Sequence, residues 1–195
     1  MVNIAVVFHS GYGHTARQAQ AVADGAAGIT GVCVQLVPVE NIEQHWRHLD
    51  DADAIIFGTP TYMGSVSAPF KAFMDKSSKA WAGQQWKNKI AAGFTNSASQ
   101  SGDKLNTLIQ LAVFAAQHAM HWISLGLMPG NNSSQGSPED LNRLGSYLGA
   151  MAQSNSDAAP EIAPTSSDLR TAAHLGRRVA EVALSLALGR QRKVA

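Results

Sequence analysis

Two rhythms of apolar positions run along this chain, short unbroken runs and longer stretches at helical spacing. Ile4-Ala5-Val6-Val7-Phe8 is the first unbroken run, followed by Val32–Val37, Ala54–Thr59, Lys89–Thr95 and a short Trp122–Leu125. Consecutive apolar positions are the pattern of strands covered on both faces of a parallel sheet. Between the runs, Ala16, Ala19, Val22, Ala23 and Ala26 recur at helical spacing, with polar residues interleaved. Further helices are predicted near Pro69–Lys79, with proline in the first turn, over 104–119 and over 167–188. Pro38 and Pro60 end the second and third strands, and residues 41–49 make at best a helical turn.

Strands that alternate with helices predict an α/β doubly wound, five-stranded parallel sheet of order 2-1-3-4-5, in one domain over 1–195. In the helix over 104–119, Leu105, Leu108, Ile109, Ala112, Ala115, Ala116 and Ala119 form one stripe, while Leu111, Val113 and Phe114 fall outside it. A helix apolar most of the way round is expected to pack against another subunit. Residues 126–165 are rich in Gly, Ser, Asn and Pro and predict a long functional or mobile loop. The final helix is expected to turn Leu169, Ala172, Ala173, Gly176, Val179, Ala180, Ala183 and Leu186 inward.

The first strand-to-helix turn reads Ser10-Gly11-Tyr12-Gly13-His14-Thr15-Ala16. Its glycines admit a close backbone approach, and a helix start offers free N–H groups and the positive end of a dipole. Two hydroxyls and no Lys or Arg lie in the turn, which suits a phosphate held by backbone and hydroxyl donors. Gly11-x-Gly13-x-x-Ala16 also matches a dinucleotide fingerprint, with Glu40 at the ribose distance. A mononucleotide explains more: small polar loops follow the first, third and fourth strands, all at carboxyl ends, where such sheets bind ligands. No Gly-Lys-Ser/Thr or Gly-x-Ser-x-Gly motif is present.

Net charge is +1, pI about 8.0 and 15% of residues are charged, which points to neither nucleic acid nor an acidic partner. The run Arg190-Gln191-Arg192-Lys193 reads as a solvated tail. Cys33 is expected to be a buried strand residue. His45-x-x-His48 and His118-x-x-His121 lack completing ligands, so no metal site is expected. No signal peptide precedes the first strand, and no apolar run reaches the ~18 residues of a membrane span; a cytoplasmic protein is expected. Trp81 and Trp86 flank a turn at Gly83 and are candidates for core packing or a stacking wall. Taken alone, His118 reads as a capping or interface histidine.

Together these stretches resemble the flavodoxin superfamily, and within it the WrbA-type NAD(P)H:quinone oxidoreductases. Ser10, Gly11, Tyr12, Gly13, His14 and Thr15 look like the FMN-phosphate loop of that family. Pro60, Thr61, Tyr62, Met63 and Gly64 look like the loop that cradles the flavin ring, although the family pattern has Arg, Phe and Asn where Tyr62, Met63 and Ser65 stand. Asn96, Ser97, Ala98, Ser99 and Gln100 occupy the place of a usually glycine-rich third loop. Phe73-x-Asp75 followed by Trp81-Ala82 is similar to a stretch whose tryptophan walls the active pocket, and Gln117-His118 stands where the family carries a His-His pair over the flavin. Arg143-x-Gly145-Ser146-Tyr147-x-Gly149 is a worn match to a later loop.

The resemblance implies an FMN-dependent enzyme passing two electrons from NADH or NADPH to a quinone or similar planar acceptor. Trp81, Gln117 and His118 would line the acceptor pocket, with no covalent catalytic residue. A homodimer or homotetramer is implied as well. The alternatives are a flavodoxin-type electron carrier and an NAD(P)H-dependent reductase of free FMN, azo dyes or nitroaromatics.

Overall fold

In a computed structural model, residues 1–192 are described, with side chains as far as residue 189, so the solvated tail expected at Arg190–Lys193 lies outside the described side chains. The apolar runs become β1 (Val2–Phe8), β2 (Val32–Pro38), β3 (Ala54–Tyr62) and β5 (Ile90–Ser97). A two-residue strand, β4 (Ser65–Val66), follows β3. The helices are α1 (His14–Ala27), α2 (Trp46–Asp51), α3 (Ala68–Lys76), α4 (Ser78–Ala82), α5 (Lys104–Gln117) and α6 (Ser166–Arg192), with a 3-10 turn at Val39–Gln44. Two short strands, β6 (His121–Trp122) and β7 (Ala150–Gln153), complete the sheet. Its order is β2-β1-β3-β5-β6, all parallel along that path, which is the expected flavodoxin-like winding.

The strands are buried on both faces because helices cover both. Ile4, Val6, Ile56 and Phe94 pack with Val22 of α1 and with Leu175 and Val179 of α6. On the other face Val7 and Phe57 meet Phe70 and Phe73 of α3, Trp86, and Leu108 and Phe114 of α5. α1 and α6 approach unusually closely. A Cβ on Gly25 would collide with the Ala173 carbonyl, and one on Gly176 with the Val22 carbonyl. Leu186, expected inward on α6, is exposed.

Several expectations need correction. The fifth strand is not Trp122–Leu125; β6 pairs only with Ile90 and Ala91, and β7 pairs with Phe94–Ser97. Residues 123–149 therefore interrupt one strand position, and Leu125 turns away into the core instead of continuing the ladder. Asn142 pins this insertion, its amide donating to the Ser146 carbonyl at 2.8 Å and its side-chain oxygen accepting from the Ser146 N–H at 2.8 Å. The expected loop 126–165 thus contains a strand. β3 runs past Pro60 and folds back through Met63 and Gly64, both at positive φ (49° and 74°), into β4. Two helices broken at Ser77 replace the single one expected over 69–79. Cys33 is exposed, because β2 is the edge strand. α5 buries Lys104, Thr107, Leu108, Leu111, Phe114 and Ala115, a stripe rotated from the expected one. Leu105, Ile109 and Val113 are left in solvent. Trp86 is wholly buried, whereas Trp81 is half exposed. No helix among the described residues is long and apolar enough to cross a membrane.

Candidate functional site

The carboxyl ends of β1, β3 and β5 open into a cavity of about 530 Å³. Each loop reaches it for a local reason. At the end of β1, Gly13 adopts φ 89°, a left-handed conformation natural to glycine, and starts α1 with no side chain of its own to cap the helix. The Ser10 hydroxyl accepts from the Ala16 N–H at 3.1 Å and closes the turn. That bond takes one first-turn amide; a helix start otherwise offers free N–H groups and the positive end of a dipole, the arrangement that binds phosphate. Nor is there room for larger residues: a Cβ on Gly11 would lie 2.5 Å from the Tyr62 hydroxyl, and one on Gly13 2.7 Å from Pro160 Cγ.

At β3, the hairpin into β4 carries Pro60, Thr61, Tyr62, Met63 and Gly64 onto the cavity wall. Asn106 holds its tip by donating to the Gly64 carbonyl at 2.6 Å. Below it, the Thr61, Thr95 and Thr107 hydroxyls are linked in a buried chain with 2.8 Å steps. His9 ties the first two loops together: its Nδ1 meets the Ser67 hydroxyl at 2.8 Å, and Ser67 meets the Thr59 hydroxyl at 3.0 Å. Burial lowers the His9 pKa, partly opposed by Glu40, whose carboxylate lies 3.6 Å from Nε2.

At β5, Asn96, Ser97, Ala98, Ser99 and Gly102 form the third wall. A fourth wall, Ser154 and Ser156, follows β7. The Ser154 hydroxyl donates to the Asn96 side chain at 3.0 Å, and its N–H donates to the Ser97 carbonyl at 3.2 Å. The small polar run after Gln153 matches the other three loops in kind, but Ala150–Gln153 has no strand-like pattern of its own, so nothing local places that run here.

Of the expected cofactor residues, Tyr12, His14, Thr15, Pro60, Thr61, Tyr62, Met63, Gly64, Asn96, Ser97, Ala98 and Ser99 line the cavity. Ser10, Gly11 and Gly13 shape it from behind. Gln100 faces a separate open groove beside α5. Tyr12 and Tyr62 meet edge to face, centroids 6.4 Å apart, and desolvation raises the Tyr62 pKa. Among the described residues no Asp, Glu, Lys or Arg lines the cavity. Such a lining suits a planar ring bearing a polar tail.

Trp81, Gln117 and His118 do meet one another, around a hollow of about 200 Å³. That hollow lies elsewhere. His118 is three residues before His121, which pairs with Ile90 at the start of β5, whereas the cavity takes Asn96 onward at its end. Six residues of strand separate the two levels by about 20 Å. His118 is buried, its Nε2 2.9 Å from the Ser77 hydroxyl and its ring 4.3 Å from that of Trp86. Burial pushes its pKa down to about 4.

Residues 13–133 match the model of the NADPH-dependent FMN reductase family, which takes in two of the three expected loops and half of the first. The chain belongs to that family. Within the NADPH-dependent FMN reductases its similarities point to the WrbA-type, flavodoxin-like group. The structure of a flavodoxin, WrbA-like protein from Agrobacterium tumefaciens is 44% identical, with a TM-score of 0.75, covering 95% of this chain and 99% of that one. Flavodoxin FldP of Pseudomonas aeruginosa is 46% identical over 187 residues, 95% of this chain and 99% of its own. An NAD(P)H dehydrogenase (quinone) of Archaeoglobus fulgidus is 34% identical over 208 residues, 95% of this chain and 100% of its own.

Proposed function

We propose that this chain binds FMN in the four-walled cavity and passes two electrons from NADH or NADPH to a quinone-type acceptor. One observation carries the reading: a helix start at a left-handed glycine opens onto a cavity with two tyrosines in its wall and, among the described residues, no Asp, Glu, Lys or Arg. The residues fit the group. Ser10, Thr15 and the amides after Gly13 would hold the phosphate, and Gly11 and Gly13 leave room that a Cβ would fill. Thr61, Tyr62, Met63, Asn96, Ser97 and Ser99 would hold the ring and ribityl chain.

When bound, FMN supplies the hydride and electron chemistry. The protein supplies position. Tyr12 and Tyr62, edge to face, would wall one side of a bound ring, and Met63, fully exposed at the rim, would leave the other side open to a second planar molecule. A donor nucleotide and an acceptor would occupy that opening in turn.

The bare apolar stripe Leu105, Ile109 and Val113 on α5 supports a homodimer or homotetramer. A role for Trp81, Gln117 and His118 at an acceptor belongs to such an assembly, where the hollow of one copy would face the cavity of another. Light scattering at micromolar concentration tests it, and a monomer would remove that role.

An absorbance spectrum of the protein with FMN, followed by anaerobic NADH or NADPH, tests the main reading. A bound-flavin spectrum that bleaches with either nucleotide is expected, and turnover with a quinone should follow. The 46% identity to Flavodoxin FldP favours a second reading, an electron carrier. Binding without bleaching would support the carrier, and no binding would overturn both.

A further inference from the structure

Among the described residues no Asp, Glu, Lys or Arg lines the cavity, yet a cation sits one hydrogen bond behind it. Lys104, the first residue of α5, is 1% exposed. Its Nζ donates to the Ser97 hydroxyl and to the Ser99 carbonyl, both at 2.7 Å, and both partners line the cavity. These partners are neutral, so the charge is held without a direct counter-ion among the described residues. The charged groups that act on it are Asp168 of α6 and Arg143 of the insertion. Asp168 is committed to Arg143 by two bonds of 2.8 and 2.7 Å, so these two largely cancel at Lys104.

The arrangement is costly for a lysine. A buried ammonium loses its hydration, and an aliphatic residue would fill the same space without that loss. Gly102, at φ 54°, winds the loop so tightly that a Cβ there would strike the Ser97 hydroxyl. Lys104 therefore fixes the third wall and points a positive charge at it from inside the protein.

We propose that Lys104 is a positioning residue that sets the electron affinity of the flavin site, by holding residues 97–102 as a wall and placing a fixed positive charge directly behind it. This rests on the FMN reading above. Hydride transfer from NAD(P)H brings two electrons and one proton, so the cavity gains one unit of negative charge. Among the described residues the lining offers no Lys or Arg to pair with that charge. Lys104 stabilises it in place, without touching the ligand and without giving up its own proton.

The test compares wild type with Lys104→Gln and Lys104→Arg, reading FMN affinity by fluorescence quenching and the two-electron midpoint potential against reference dyes. Lys104→Gln keeps a donor for the Ser99 carbonyl but loses the charge. Its preference for reduced over oxidised FMN should drop about tenfold, a potential lower by about 30 mV, while Lys104→Arg keeps most of the wild-type value. A Gln variant that binds FMN at an unchanged potential overturns the assignment. If that variant does not fold, the wild type serves alone. Burial lowers the Lys104 pKa to about 8. Negative charge in the cavity raises it again, so above pH 8 one extra proton should accompany each two electrons. The potential should then steepen by about 30 mV per pH unit, tenfold per unit, and an unbroken slope from pH 7 to 10 overturns the proposal. Wild type that binds no FMN overturns the cofactor reading together with this one.

Discussion

Replacing Gly13 with alanine isolates the first wall of the cavity. Gly13 sits at φ 89°, and for a residue with a Cβ the left-handed region costs roughly 1–2 kcal/mol. The new methyl would lie 2.7 Å from Pro160 Cγ and 2.9 Å from Pro160 Cβ. Ordinary carbon contacts are about 3.5–4.0 Å, so the segment at 158–160 must retreat by nearly an ångström. That segment is anchored to the same turn by the bond between His14 Nε2 and the Ala158 carbonyl, 2.8 Å long, so the two shift together. Overpacking of this kind costs about 1–3 kcal/mol. Part of it relaxes in the free protein, and about 2–3 kcal/mol falls on phosphate binding, a loss of roughly 30- to 150-fold in FMN affinity. Quenching of FMN fluorescence measures this, with a circular dichroism melt to show that the variant is folded. Gly189→Ala, with nothing within 4 Å of the new methyl, is the control. A folded Gly13→Ala protein that binds FMN within twofold of wild type would refute the assignment of this turn to the phosphate.

Other expectations concern stability and pH. Gly176→Ala should force α1 and α6 apart, costing about 3 kcal/mol and lowering the melting temperature by about 6–12 °C, read by calorimetry; an unchanged Tm would mean that the seam is loose. His118 titrates at about 4 in the fold and near 6.5 unfolded. Between those values the unfolded chain binds the extra proton, so stability is fully present above 6.5 and lost as pH falls towards 4, by about 3 kcal/mol in all. Urea titrations at pH 4.5 and 7 should show this, and His118→Phe should flatten it. Arg143→Met leaves Asp168, 2% exposed in its side chain, with the Gln153 N–H as its remaining partner at 2.8 Å. A loss of about 3–5 kcal/mol is expected in the same assay, and a loss under 1 kcal/mol would mean that the pair contributes little.

The parallel sheet and three of the four walls were legible because buried strands and glycine turns write local patterns. Ile4–Phe8 followed by Ser10–Ala16 specifies a strand, a turn and a helix start within one short stretch. What was hidden depends on distant contacts. Ala150–Gln153 has little β propensity and becomes a strand only because Phe94–Ser97 offers an unpaired edge. With β7 unseen, Ser154 and Ser156 could not be placed. Lys104 reads as an ordinary polar first-turn residue, and nothing local says that the loop at 97–99 covers it. α5 misled for a related reason: both of its faces are apolar, so periodicity alone could not choose which one the sheet covers. The resemblance put Trp81 and His118 beside the flavin, whereas strand register sets them about 20 Å from the cavity within one chain.

The glycine seam between α1 and α6 also has a consequence in time. α1 begins at the phosphate turn, yet Val22 and Ala26 on its inner face pack in one cluster with Ala172, Leu175, Val179 and Ala183 of α6, far downstream. At ribosomal rates of ~5–20 residues per second, the roughly 150 residues between them take about 10–30 s to synthesise. Through that interval the sheet face destined for α6 lies open, and α1 has no partner to seat it. The anion site at its start is therefore finished only once α6 has been made. Cofactor loading waits for that helix, and a nascent chain stalled short of α6 should be unable to retain the flavin.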